Sequence, residues 1–296
     1  MTTTSSTVGS LRELGRFLEI QTVGLNLPFA LAFLLLAAGG LPSLWVTFFV
    51  VVAFVSARNA GHSFNRYADR DLDARNPRTQ GRALPAGHLS PGFALAVAAV
   101  SGAVLILAAY LLNPLAFVLA PVALALIWGY SYTKRYTALT TPFLGLVQAI
   151  TPAAAFIAVR GELPVSVLLA VGGLLVWGTA FETVHSLGDI ESDRSLGLRS
   201  LPVRLGVPTS VRLVPALHAV ALVLLGVFGL AFDLRLPYFL ALGAMAILAA
   251  FADRTLAKSP TAARVPFQRH FAMALFFFAG VGIALFVPLG PHLGWP

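Results

Sequence analysis

The 296-residue chain contains no cysteine, which excludes disulfides, thiolate metal ligands and cysteine nucleophiles. Charge is also scarce. Asp, Glu, Lys and Arg together make up 11% of the residues, against roughly a quarter in soluble domains. Acidic side chains are the fewest, with 12 Asp and Glu in all. A chain so poor in charge is not expected to fold in water. Charge is costly within a membrane protein, so the few carboxylates that remain indicate functional positions.

Hydrophobic residues make up 58% of the sequence, and apolar runs recur along its whole length. Each run is close to the roughly 20 residues that cross a lipid bilayer as a helix. We therefore predict an all-α, polytopic membrane protein. No convincing signal-peptide cleavage site follows the first run, so we expect this run to remain as a span. No gap between runs is as large as a soluble domain. We predict a single integral-membrane domain over 1–296, with residues 1–15 a flexible tail, and nine transmembrane helices at about 17–38, 42–65, 91–112, 114–133, 141–159, 164–188, 209–232, 236–252 and 269–289.

The basic residues predict the orientation of these helices. With the N-terminus in the cytoplasm, eighteen of the 20 Lys and Arg lie on the cytoplasmic side, and only Arg160 and Arg235 lie opposite. A net charge of +8 could also suit nucleic acid, but its placement at the helix ends favours the lipid bilayer as partner and no nucleic acid. We expect a bacterial inner-membrane protein whose long, polar, cytoplasmic loops carry its function.

A first acidic run stands where the second predicted span ends. Asn65, Asp69 and Asp73 are spaced by four, so a helix places them on one face, whereas Asp71 points elsewhere. Neighbouring carboxylates about 6 Å apart repel unless a cation lies between them. An oxygen-only ligand set favours Mg²⁺ or Ca²⁺.

A second acidic run stands at the end of the sixth predicted span. Glu182, His185, Asp189 and Asp193 share one helical stripe, from which Glu191 points away. Both runs are followed by Arg-x-Leu-Pro, at 82–85 and at 199–202. This pattern indicates a parallel internal repeat. The prediction is that two acidic helix ends face each other across a cavity on the cytoplasmic side.

The four inward carboxylates nearest the helix ends, those of Asp69, Asp73, Asp189 and Asp193, would bind cations. Mg²⁺ takes one or two carboxylates and completes its shell with substrate phosphates, so the set suits a diphosphate held between the two arms. Basic residues would hold the remaining phosphate oxygens; they include Arg70, Arg78, Arg82, Lys134 and Arg135. The alternative is that these charged residues only form a solvated loop surface. Charge at the end of a membrane span is costly, so this alternative is less favoured for the aspartates.

Three segments resemble signatures of the UbiA-type membrane prenyltransferases. The first resemblance is Asn65-xxx-Asp69-xxx-Asp73 followed by Arg78-Thr79-xx-Arg82-x-Leu84-Pro85-x-Gly87. The second is Asp189-xxx-Asp193-xxx-Gly197-x-Arg199-Ser200-x-Pro202-x-Arg204-x-Gly206, and the third is Tyr130-xxx-Lys134-Arg135-x-Thr137. Together they cover the chain from about 58 to 207.

The resemblance implies a nine-helix enzyme that transfers a polyprenyl group from its diphosphate to a small aromatic acceptor with the help of Mg²⁺. By this likeness, the catalytic metal ligands would be Asp69, Asp73, Asp189 and Asp193. The residues implied to contact the prenyl diphosphate are Asn65, Arg78, Arg82, Tyr130, Lys134 and Arg135.

The sequence departs from the usual pattern at three positions. Arg66 stands where many members have Asp, Glu182 stands in place of the usual Asp, and His185 stands where Tyr is more common. Glu182 is roughly 10 Å deeper than Asp189 at 1.5 Å per residue. We hypothesise that Glu182 orients or deprotonates the acceptor hydroxyl; the alternative is a structural acid paired with a polar neighbour.

Several acceptors and one other function class stay open. The run Asp73 to Thr79 resembles members that prenylate 4-hydroxybenzoate or a hydroxynaphthoate, which serve ubiquinone and menaquinone synthesis. The haem-modifying branch shares Asp69-Arg70-Asp71-x-Asp73, but its second signature differs. A cation-coupled transporter would place its acids near the midplane with access from both sides, whereas these acids gather at one face.

Overall fold

The computed structural model describes residues 15, 17–18, 23–260 and 264–287. Within these ranges the secondary structure is helical, with no β-strand. The helices in chain order are α1 (Val23–Ala38), α2 (Leu44–Asp73), α3 (Pro91–Leu112), α4 (Pro114–Tyr136), α5 (Thr140–Arg160), α6 (Val167–Gly188), α7 (Ile190–Ser195), α8 (Leu201–Leu205), α9 (Val207–Ala231), α10 (Leu236–Lys258) and α11 (Arg264–Phe286).

Eight helices are long and apolar enough to cross a membrane: α2 to α6 and α9 to α11. The second to ninth predicted spans each fall on one of them. The first predicted span, 17–38, lies partly outside the described residues, and its described helix α1 has 16 residues. Of the predicted tail 1–15, only residue 15 is described.

One helix end confirms a prediction and another contradicts one. The helix that carries the predicted span 42–65 continues to Asp73, as the shared helical face of Asn65, Asp69 and Asp73 predicts, with helical backbone hydrogen bonds as far as Ala74 N to Arg70 O. The prediction that the second acidic run forms one helical stripe is wrong. α6 ends at Gly188, Asp189 has non-helical dihedral angles (φ −107°, ψ 3°), and α7 starts at Ile190.

Six helices form a closed ring in which each packs against the next. The order around the ring is α1, α5, α6, α9, α10 and α11, with α11 returning to α1. The main hydrophobic core lies inside this ring and includes Phe33, Phe156, Phe228 and Phe277. The helices α2, α3 and α4 pack on one another, and α4 joins them to α5. The space between this group and the ring is where a cavity forms.

Two glycines bring α5 and α6 into close contact. A Cβ atom on Gly178 would lie 2.9 Å from the Cα of Gly145, closer than real Cβ contacts allow. A larger residue at either position would push the two helices apart. Because Glu182 lies one turn beyond Gly178 on α6, this contact also fixes the distance of Glu182 from the helices that line the cavity.

Candidate functional site

The first acidic run lies on the last turns of α2, as the sequence predicts. Asp69 and Asp73 are buried, with 3% and 8% of their surface exposed, whereas the side chain of Asp71 is 75% exposed. The spacing of four residues therefore separates inward from outward carboxylates.

Asp69 is surrounded by groups that donate to it. The ammonium of Lys134, in the last turn of α4, lies 2.6 Å from Asp69 Oδ2. Asn65 Nδ2 donates to the same oxygen at 3.1 Å, and Arg135 Nη2 lies 3.4 Å from Oδ1. Both oxygens of this buried carboxylate thus have partners, and two of those partners are cations.

Asp73 is paired with the loop that follows α2. Arg82 Nη1 donates to both carboxylate oxygens, at 2.8 and 2.9 Å, while Arg66 Nη1 lies 3.9 Å from Oδ2. The hydroxyl of Thr79 donates to the Asp73 carbonyl at 3.1 Å. These contacts fold the loop back over the end of α2 and explain why the Arg78-Thr79-xx-Arg82 pattern follows the aspartates at this spacing.

The second arm is joined to the first by Arg78. Its Nε and Nη2 donate to the two oxygens of Asp189, at 2.7 and 2.6 Å, in a bidentate pair. Burial raises the pKa of Asp189, but the hydrogen bonds and the charge of Arg78 outweigh burial and leave the pKa below its usual value. A loop after α2 therefore contacts the end of α6, which brings the two signatures together.

Asp193, in α7, has weaker partners. Ser200 Oγ donates to its Oδ2 at 3.3 Å. Burial raises the pKa of Asp193 to about 6, with the Asp189 charge acting in the same direction and the Lys134 charge opposing it. The Lys134 charge thus acts on Asp193 as well as pairing with Asp69.

Glu182 occupies a different environment from the aspartates. It is buried in α6 and accepts a hydrogen bond from Tyr130 Oη at 3.3 Å, which also places the predicted Tyr130 at the site. His185, one turn further along, is exposed. Each predicted site residue except Asp193 therefore has a side-chain contact with at least one other, with Glu182 and Tyr130 as a pair of their own, whereas the Asp193 side chain bonds to Ser200.

A cavity of about 650 Å³ lies between the ring and the α2–α4 group. Its walls are almost entirely apolar and rich in alanine. Asn65 and Tyr130 line its polar end, and Leu112 and Leu163 line the opposite end, so it extends along most of the length of the bundle. Its volume is in the range of ligand pockets.

Arg58 and His62 also line this cavity. They precede Asn65 by about two turns and one turn of α2, respectively. His62 is close to the predicted site in the sequence, whereas Arg58 was not predicted to belong to it. Arg58 Nη1 also donates to the Leu18 carbonyl at 2.7 Å. The signal was present in the sequence, since an arginine inside an otherwise apolar span is costly and marks a functional position.

The aspartates are not gathered into a ready-made metal cage. Across the ranges that the structure describes, no three His, Asp or Glu side chains are grouped so that they could hold a metal ion by themselves. Their chemistry nevertheless fits Mg²⁺, which takes one or two carboxylates and several other oxygens. Residues fitted to this ion are thus present, with the rest of its shell left for waters or a substrate.

These features define a class of protein. It is a helical membrane protein in which ion pairs of acidic and basic side chains lie at the polar end of a long apolar cavity; we call this end the mouth, and its pairs are Asp69–Lys134, Asp73–Arg82 and Asp189–Arg78. The arrangement suits a substrate with a charged head and an apolar tail. A family profile described as the UbiA prenyltransferase family matches residues 26–281. The chain belongs to this family and is an integral-membrane prenyltransferase.

Relatives and solved structures agree with this assignment. A 4-hydroxybenzoate octaprenyltransferase of Aeromonas hydrophila is 32% identical over 84% of this chain and 86% of its own. One of Xanthomonas campestris is 34% identical over 73% of this chain and 71% of its own. A UbiA homolog from Aeropyrum pernix K1, solved in its apo form, superposes with a TM-score of 0.81 at 30% identity, over 88% of this chain and 97% of that one. A UbiA homolog from Archaeoglobus fulgidus bound to GPP and Mg²⁺ shares the fold, with a TM-score of 0.71 at 17% identity, over 91% of this chain and 99% of that one.

Proposed function

We propose that the protein transfers a polyprenyl group from a polyprenyl diphosphate to a small aromatic acid, 4-hydroxybenzoate or a hydroxynaphthoate, for respiratory quinone synthesis. The observation that carries this proposal is the mouth itself. Acidic and basic side chains from both signatures are paired there, directly at the polar end of an apolar cavity. A diphosphate with a prenyl tail has the matching distribution of charge and hydrocarbon.

Asp69, Asp73, Asp189 and Asp193 would hold Mg²⁺. A metal held there would supply positive charge to neutralise the charge on the departing diphosphate. The Archaeoglobus fulgidus homolog was solved with GPP and Mg²⁺ bound, which supports this choice of ion.

The cations now paired with the aspartates would turn to the phosphate oxygens. Arg78 and Arg82 are on a loop, and Lys134 and Arg135 are at a helix end, so each can change partner without moving the helices that carry the aspartates. Asn65 would donate to the diphosphate from the cavity wall. Once turned to the phosphate oxygens, these donors would stabilise the charge on the leaving group.

The acceptor would bind in the cavity beside Glu182 and Tyr130. The C–O bond to the diphosphate breaks, the allylic carbon bonds to an aromatic carbon, and the proton on that carbon leaves to a base. Glu182 would orient the acceptor hydroxyl, and the hydrogen bond from Tyr130 holds its carboxylate in place. Among the described residues that line the cavity, Arg58 is the one with a formal charge. Its guanidinium would therefore balance the negative charge of the acceptor carboxylate.

The membrane arrangement is part of the proposal. The positive-inside pattern supports a cytoplasmic N-terminus, nine spans in a single domain over 1–296, and a mouth on the cytoplasmic face of a bacterial inner membrane. On that side, water-soluble acids and Mg²⁺ reach the mouth, while the prenyl tail stays in apolar surroundings.

The names of the curated relatives support 4-hydroxybenzoate as the first acceptor to test. The test is an assay of the purified full chain with Mg²⁺ and one long-chain prenyl diphosphate, offered 4-hydroxybenzoate or a hydroxynaphthoate in separate reactions. We expect a prenylated product with one acid, and none when EDTA removes the metal. No product with either acid would reject the quinone assignment.

A further inference from the structure

A second, smaller cavity lies at the polar end of the bundle, apart from the aspartates. Its volume is about 320 Å³, and the end of α4 and the segment that carries α8 form its walls. Thr137, Arg199 and Arg204, which belong to two of the three signature segments, line this cavity and not the large one. Their positions in the signatures are therefore not explained by contact with the proposed substrates.

The charge in this cavity is of one sign. Arg199 and Arg204 both line it, and its lining, drawn from the described residues, contains no carboxylate; Ser200 and Thr137 add hydroxyl groups. Arg199 Nη1 donates to the Tyr136 carbonyl at 2.6 Å, which holds its guanidinium in place. The Arg204 side chain is exposed and makes no hydrogen bond or ion pair with the described part of the chain. Two guanidinium groups around one small cavity repel unless an anion lies between them.

Large apolar side chains in and beside the segments that line the cavity are accessible. Tyr136 lines the cavity and is 71% exposed, and Leu139 and Leu205, each next to a lining residue in the sequence, are 60% and 38% exposed. Exposed aromatic and aliphatic side chains beside arginines are typical of the level of lipid headgroups in membrane proteins. An anion in this cavity would thus lie where water, headgroups and the protein meet.

We propose that this cavity, the arginine pocket, binds a phosphoryl anion, which is either the headgroup of an anionic phospholipid or free inorganic phosphate. Guanidinium groups favour phosphate because their donors match its oxygens. The pocket is also connected to the mouth. Ser200 lines the pocket and donates to Asp193, and the Arg199 amide donates to the Lys134 carbonyl at 2.8 Å. An occupied pocket would hold the segment that positions Asp193.

The experiment measures the thermal unfolding midpoint of the full chain in the presence of EDTA, which removes divalent metal. In one arm the protein is in detergent, and sodium phosphate is compared with sodium chloride of equal ionic strength. In the other arm it is in phosphatidylcholine nanodiscs, with or without phosphatidic acid. We expect a rise of about 2 °C or more in at least one arm. A rise with phosphate identifies the free anion as ligand, and a rise with phosphatidic acid alone identifies the headgroup.

Arg204→Gln is the informative variant, because its side chain makes no contact that the described part of the fold needs. It should lose at least half of the rise, and Arg199→Gln should do the same. Arg212→Gln is the matched control, since Arg212 is an exposed arginine of α9 outside the pocket, and it should keep the full rise. The proposal is overturned if the wild-type protein shows no rise in either arm, or if Arg204→Gln keeps all of it.

Discussion

Lys134 Nζ lies 2.6 Å from Asp69 Oδ2, although the two residues are on different helices and 65 positions apart in the sequence. The pair joins the first acidic run to the end of α4. Asp69 is buried and the Lys134 side chain is 27% exposed, so the lysine can turn towards water or a ligand while the aspartate keeps its place. The proposed mechanism needs the lysine, and not the aspartate, to change its partner.

Asp69→Asn should lower kcat by about 100-fold or more, because the amide removes the charge that is proposed to hold the metal. Asp71→Asn is the matched control on the same turn of α2. Its side chain is 75% exposed and pairs with Arg70 at 3.5 Å, on the outer face of the helix, so this variant should keep wild-type kcat. Steady-state kinetics with a prenyl diphosphate and the preferred acid provide the measurement. Equal losses in both variants would mean that the face of the carboxylate does not matter.

The second arm allows the same comparison. Asp193→Asn should lose activity to a similar extent, whereas Glu191→Gln should be nearly neutral because Glu191 is exposed. Adding more Mg²⁺ should partly restore Asp193→Asn, since the affinity for the metal is the property that changes. If activity stays low at saturating Mg²⁺ and the unfolding midpoint has fallen, Asp193 has a structural role and not the proposed one.

Glu182→Gln tests the acceptor side of the site. The glutamine keeps the shape of the side chain and can still accept a hydrogen bond from Tyr130, but it removes the charge. We expect KM for the aromatic acid to rise by about 10-fold or more while KM for the prenyl diphosphate stays unchanged. Tyr130→Phe should cause a smaller change in the same direction. A change confined to the prenyl diphosphate would refute the acceptor role.

Arg58→Gln tests the counter-charge in the cavity. Loss of a charge-assisted hydrogen bond should raise KM for the aromatic acid by about 10- to 100-fold. Because Arg58 also contacts the Leu18 carbonyl, a separate control is needed for effects on the fold. A phenol without the carboxyl group provides it, since wild type and variant should use this acceptor equally poorly. A variant impaired with the phenol as well would indicate a packing defect.

Length and composition were enough to predict the helices. Apolar runs of about 20 residues leave no other way to satisfy the backbone in lipid, and eight of the nine predicted spans coincide with long apolar helices. The inward face of Asp69 and Asp73 was also predictable, because within one helix the spacing alone decides which side chains share a face. The face of a helix on which a side chain lies can thus be predicted from a single sequence when the residues recur with the period of the helix.

The pairing of charges was not predictable in the same way. Arg78 and Asp189 are 111 positions apart, and only the packing of α2 and α4 on α5, and of α5 on α6, brings them within 2.6 Å. The break at Asp189 was missed because a four-residue spacing is compatible with one helix and also with two helices that meet at a kink. Arg199 and Arg204 were assigned to a signature, but their position on a separate pocket depends on how α8 folds against α4.

The ion pairs at the mouth have a consequence for the order of binding. Three aspartates are each neutralised by a Lys or Arg of the same chain: Asp69 by Lys134, Asp73 by Arg82 and Asp189 by Arg78. A metal ion arriving alone must displace these cations, and a diphosphate arriving alone must draw them away from their carboxylates. When a Mg²⁺–diphosphate complex binds, the metal can become the partner of the aspartates while the diphosphate becomes the partner of the Lys and Arg side chains. We therefore expect metal and diphosphate to bind synergistically, each raising the affinity for the other.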